Sequence, residues 1–161
     1  MSCSVAYHQS DIISRMTRRQ KVATAVLAAL SLLLIPVPYL ACPQWTVTVT
    51  DEAGRPLSGM LVRLDYENYS VENISHEVDL YTGENGQVTF PPKRRFASLF
   101  RRCWFTTLSA AAFVHASFGP SAYVNAFGMG REGSAVSDDL VYFWKGHPDR
   151  LNTTIVATVI K

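Results

Sequence analysis

A chain of 161 residues with a formal charge of +2 and 17% charged residues has room for one compact domain and is too nearly neutral to coat nucleic acid. Its basic excess lies at the front, where Arg15, Arg18, Arg19 and Lys21 oppose only Asp11, while from Cys42 onward acids outnumber bases by one. Three cysteines, Cys3, Cys42 and Cys103, are too few and too scattered for a disulfide framework or a Cys-rich zinc site, and leave open either a Cys42 to Cys103 bridge or two unrelated thiols.

"MTRRQKVATAVLAALSLLLIPVPYLACPQW", from Met16, runs basic, then apolar, then proline-containing and small, the order of a secretory signal. The fifteen residues before it lack that pattern, so translation starts at Met16 or the chain carries an N-terminal extension. The unbroken run Val22–Ile35 is 14 residues, about 21 Å as a helix against a bilayer core of about 30 Å. Continued through Pro36 and Pro38 to Leu40, the helix would suffice to span, at the cost of two missing backbone donors. Tyr39 stands where the small-x-small cleavage rule wants a small residue. "YLAC" resembles a lipobox that would make Cys42 a lipidation candidate. The expectation is a basic segment at 1–21, a signal peptide or membrane anchor helix at 22–41, and a folded domain at 42–161. The positive-inside rule puts that domain outside the cytoplasm, at a cell membrane or envelope.

The domain reads as strands. "WTVTVT" alternates Trp45, Val47 and Val49 against Thr46, Thr48 and Thr50, and "MLVRLDY" alternates Met60, Val62, Leu64 and Tyr66 against Leu61, Arg63 and Asp65. "ENYSVENIS" reads as a loop. "HEVDLY" and "QVTF" flank a turn at Asn85-Gly86. After Pro91 and Pro92 the period changes: Phe96, Leu99, Phe100 and Cys103 recur at three and four, which predicts an inserted amphipathic helix beginning in "KRRFASLF". "FVHASF", "SAYVNAF", "LVYFWK" and "NTTIVATVI" read as strands and "GMGREGSAVSDD" as a loop. The expectation is mainly β: a seven- to eight-stranded antiparallel sandwich with one inserted helix and an N-terminal hydrophobic helix.

"VTVTDEAGRPLSGMLVRL" followed by "TGENGQVTF" resembles the carboxypeptidase regulatory-like domain, a prealbumin (transthyretin-like) β-sandwich. The family pattern falls on Asp51, Gly54, Pro56, Gly59, Val62 and Leu64, then Thr82, Gly86, Val88 and Phe90. Physically, Asp51 can accept from turn donors, Gly54 allows a conformation costly for other residues, Pro56 fixes the exit, Thr82 caps the second hairpin and Asn85 starts its turn. The resemblance implies an accessory domain without peptidase chemistry.

The histidines agree with that. His76, His115 and His147 lack the His-x-x-Glu and His-Glu-x-x-His spacings of a catalytic zinc site, and His115 reads as a hydrogen-bonded strand residue. No Gly-x-Ser-x-Gly elbow occurs, the Tyr-Arg-Gly-Ser ending of the related hydroxyisourate hydrolase is absent, and Cys103 reads as core rather than as a nucleophile for His115. Asp138, Asp139 and Glu132 read as a solvated loop, with calcium the weaker option. The sequons at Asn68, Asn73 and Asn152 matter only in a eukaryotic secretory route. No cofactor and no catalytic or metal residue is assigned.

The exposed feature is the basic stretch, Lys93, Arg94, Arg95, Arg101 and Arg102, among aromatic residues. Either it seats on anionic headgroups, or its apolar stripe packs on the sandwich with the arginines in water. The sequence thus points to a non-catalytic module of the cell envelope that meets the membrane through its N-terminal segment and an unidentified envelope protein through its surface. The rival is a small-ligand or carbohydrate-binding domain with a pocket of Tyr123, Tyr142 and Trp144.

Overall fold

The computed structural model describes residues 17–136 and 150–160. Helix α1 (Arg18–Leu33) leads into β1 (Pro36–Cys42), β2 (Gln44–Thr50), β3 (Leu61–Asn68), β4 (His76–Tyr81), β5 (Gln87–Phe90) and β6 (Lys93–Ser98). Helix α2 (Leu99–Ala111), a 3-10 turn at Phe113–His115, β7 (Pro120–Gly128), β8 (Arg131–Val136), β9 (Arg150–Val156) and β10 (Thr158–Val159) follow. The chain is mainly β, with ten strands among the described residues.

Five strands in the order β10-β8-β7-β3-β4 form one sheet and three in the order β5-β2-β9 form another. The core contains Trp45, Val47, Val49, Val88, Phe90, Leu151 and Ile155 from the smaller sheet and Met60, Val62, Leu64, Tyr66, Ala122, Val124 and Ala126 from β3, β7 and the residue before β3. Period-two alternation places these residues on one face of each strand, so burying that face gives a β-sandwich. The two sheets are joined at Ala157, whose N–H donates to the Thr50 carbonyl (2.8 Å) where the chain leaves β9 for β10. A third sheet, the two-stranded ribbon β1–β6, pairs Pro36 with Ser98 and Tyr39 with Arg95. It brings the end of α1 and the start of α2 to the same end of the ribbon.

The two turn motifs meet in space. Asp51 Oδ1 accepts from the Ala53 and Arg55 N–H groups (2.9 and 2.8 Å). Its Oδ2 accepts from Arg55 Nε (2.8 Å). These bonds, the Arg55 N–H first, hold the carboxyl below the usual aspartate range. Gly54 (φ +77°), Gly59 (φ +72°) and Gly86 (φ +70°) are left-handed. At Gly54 a Cβ would meet nothing within 4 Å, whereas at Gly86 it would stand 2.8 Å from both the Pro56 Cβ and the Val49 carbonyl oxygen. Gly86 therefore lets the second turn lie against the first, and its carbonyl accepts from the Val49 N–H (2.8 Å). Asn85 Oδ1 accepts from the Gln87 N–H (3.1 Å).

Several expectations are corrected. The sandwich is mixed rather than antiparallel: β2 and β9 run parallel from Gln44 beside Arg150 to Thr50 beside Val156, which a chain returning after a long excursion allows. Among the described residues the count is ten strands rather than seven or eight, with five and three in the two sandwich sheets and two in the ribbon. The N-terminal helix ends at Leu33 rather than reaching Leu40, because Pro36 and Pro38 suit an edge strand better than a helix interior. Lys93–Ser98 is strand, not helix; the helix begins after Ser98, whose hydroxyl caps the Arg101 N–H (3.2 Å). "FVHASF" is a 3-10 turn with coil, and part of the expected loop "GMGREGSAVSDD" is β8, whose pairing with β7 overrides its glycines. Thr82 does not cap the second hairpin: its hydroxyl accepts from the Met60 N–H (3.0 Å) and donates to the Leu57 carbonyl (2.7 Å), tying the entry of β3 to the exit of β4. Asp65, expected on the outer face, is buried, and burial followed by the charge of Glu77 raises its carboxyl. The expected strand "LVYFWK", with Tyr142 and Trp144, and the Asp138 and Asp139 pair lie outside the described residues.

Gly54→Ala should cost about 1 kcal/mol, the conformational penalty alone. Gly86→Ala should cost about 3 kcal/mol, because a steric clash with backbone is added. Urea-unfolding midpoints of the two variants measure the difference, and equal losses would show that the turns do not depend on their close approach.

Candidate interaction surface

A buried carboxylate organises the surface around the ribbon. In the turn after β3, Asn68 Oδ1 accepts from the Ser70 N–H (3.1 Å), and the Asn68 carbonyl accepts from the Val71 and Glu72 N–H groups (2.8 and 2.9 Å). That turn buries Val71 and Glu72. Glu72 then accepts from Tyr39 Oη of β1 (3.4 Å) and pairs with His76 Nε2 of β4 (3.0 Å), with Arg95 Nη2 of β6 at 4.0 Å. Burial, and after it the charge of Glu72, pushes the Tyr39 phenol up, keeping it a neutral donor.

Helix α2 docks on the same turn through its polar residues. Arg101 Nε donates to the Val71 carbonyl (2.7 Å), the Arg102 guanidinium stacks 5.1 Å from the Tyr39 ring centre, and Ser109 Oγ donates to the Tyr69 carbonyl (3.1 Å). Phe105, half-buried, lies beneath Arg101 at 5.5 Å. At 3.6 residues per turn these four share one side of the helix, and Phe100, Cys103, Trp104 and Thr107 share the other. Phe100 and Trp104 are each 55% exposed, and α2 buries no residue at all. The apolar stripe of Phe100 and Trp104 is thus not packed on the sandwich, and the helix meets the body through Arg101, Arg102, Phe105 and Ser109.

The exposed apolar surface continues on both sides. Phe96 is exposed on one face of the ribbon and Val37, paired with Ala97, on the other, and Leu27, Leu30, Leu32, Leu34 and Ile35 belong to α1 and its exit; none of these is covered. Helix α1, opened by a Thr17–Gln20 capping box, likewise buries nothing. Among the described residues no helix is long and apolar enough to cross a membrane.

Of the five basic residues, Lys93, Arg95 and Arg102 are half-buried, while Arg94 and Arg101 are exposed. Cys42 is packed in the core, and burial pushes its thiol up to about 12, whereas Cys103 is an exposed free thiol on the outward side of α2. Lipidation of Cys42 would require loss of β1, of which it is the last residue. Asp51, Gly54, Pro56, Gly59, Thr82, Asn85 and Gly86 form the turn assembly described above and lie in sequence between the two ribbon strands. Sequence reading missed Glu72 and Tyr39; a lone acid between Val71 and Asn73, and a tyrosine inside a leader, carried no signal.

The outer face of the five-stranded sheet holds an open cleft of about 620 Å3 lined by Arg63, Asn125, Phe127, Glu132, Ser134 and Thr158. Arg63 is clamped by Asp79 (2.8 Å through each of two nitrogens) and Glu77 (3.0 Å). Tyr123, an expected pocket residue, is partly exposed on that sheet. Among the described residues no group of three His, Cys, Asp or Glu side chains could hold a metal ion. His115, expected in a strand, is exposed in the 3-10 turn.

No family model and no curated protein matches this chain. Among solved structures it is similar to 3-chlorocatechol 1,2-dioxygenase from Rhodococcus opacus 1CP, with a TM-score of 0.43, 13% identity, and coverage of 80% of this chain and 64% of that one. The chain spans less than two thirds of that enzyme's length, and a likeness this slight carries nothing over.

Glu72→Ala should release the ribbon selectively, at a cost of about 1–3 kcal/mol for the donors left unpaired. Hydrogen exchange should then quicken in β1 and β6 while β2 and β9 keep their protection. Uniform acceleration, or none, would show that Glu72 does not hold the ribbon.

Proposed function

We propose that this chain is a non-catalytic, membrane-associated module of the cell envelope, its β domain outside the cytoplasm and its surface used for contact with a membrane or an envelope protein. The observation that carries the reading is the uncovered apolar surface of α1, the ribbon and α2, far more than scattered surface residues require. Basic residues ahead of the apolar run favour the orientation, and the carboxypeptidase regulatory-like resemblance favours an accessory rather than a catalytic role. A second reading, a small-ligand or carbohydrate-binding domain, is favoured by the polar cleft at Arg63 and Asn125.

A reporter fused after Lys161 and expressed in a bacterial host should be active only if it works outside the cytoplasm, and the fusion should sediment with membranes. A fusion that works only in the cytoplasm, or that stays in the soluble fraction, overturns the proposal.

A further inference from the structure

We infer that the outward side of α2, together with Arg94 and Phe96 of the ribbon, beds in the headgroup boundary of a bilayer that contains anionic phospholipid. The inference rests on the membrane reading above and adds a second contact to that of α1. A helix on a soluble domain normally turns its apolar stripe to the core. Here Arg101, Arg102 and Ser109 hold the protein, Phe100 and Trp104 face away from it, and Leu99 and Leu108 are exposed at the edges of the helix. That orientation leaves the apolar side without a partner inside the molecule, and a helix of 13 residues, about 20 Å long, suits a position in the membrane plane.

Charge identifies the surface that it meets. From Gln87 to Gly130 the chain contains no carboxylate, while this stretch holds Lys93, Arg94, Arg95, Arg101 and Arg102. Such a surface attracts anionic headgroups. A second copy of the chain is disfavoured, since a two-fold contact through this face would set like charges against one another. The ribbon also fixes the geometry, because the Pro36 to Ser98 pairing brings the end of α1 and the start of α2 to one end.

The test uses the full chain with Cys3→Ser, labelled at Cys103 with a nitroxide; the buried Cys42 thiol does not compete. With vesicles of three parts phosphatidylcholine to one part phosphatidylglycerol, the protein should float with the lipid. Its label should become accessible to oxygen and shielded from an aqueous nickel complex. Arg94→Gln should weaken partitioning into these vesicles about fivefold. Flotation with the label still in water overturns the inference and leaves the membrane reading standing on α1, whereas failure to float overturns both. Equal immersion in pure phosphatidylcholine refutes the anionic preference. Spin–spin broadening without lipid would assign the face to a second copy and overturn the inference.

Discussion

Glu72 is the residue on which the surface of this protein depends. Its carboxylate lies buried where β1, β4 and β6 converge, and a buried charge of this kind is tolerated only where donors surround it. Meeting that need draws Tyr39 and Arg95 of the ribbon onto the turn after β3. With Tyr39 fixed, Arg102 stacks on it, and with the turn fixed, the Val71 carbonyl is presented to Arg101. The polar side of α2 is thus committed to the protein, and its apolar side turns outward by helical geometry alone.

The sandwich beneath is held by different means. Strand alternation buries Trp45, Val47 and Val49 against Val62, Leu64 and Val124, and the two glycine turns lock together where Gly86 meets Pro56. This division separates stability from contact. Changes in the core or turns should act on folding, while changes at the exposed positions Arg94, Phe96, Phe100 and Trp104 leave the core untouched and alter only what the surface meets.

Much of the sandwich was legible in the sequence because period two and turn chemistry are local. Trp45 to Thr50, Met60 to Tyr66 and the Asn85-Gly86 turn needed no information beyond their own residues. The ribbon was not legible. Pro36–Cys42 reads as the end of a greasy leader and Lys93–Ser98 as the start of a helix, and only their pairing across fifty or more intervening residues makes them strands. The parallel placement of β9 beside β2 is equally non-local. For the candidate surface, composition marked the five basic residues but not their direction, since the amphipathic pattern is the same whichever side faces the body. The direction came from Glu72 and Tyr39, which no motif singled out.

The orientation of α2 is most directly tested by nuclear Overhauser contacts in the isotope-labelled full chain. The Tyr39 ring should show contacts to the Arg102 side chain, and the rings of Phe100 and Trp104 none to the valines and leucines of the sandwich. Contacts from Phe100 and Trp104 to Val62, Leu64 or Val124, with Arg102 free of Tyr39, would contradict the account.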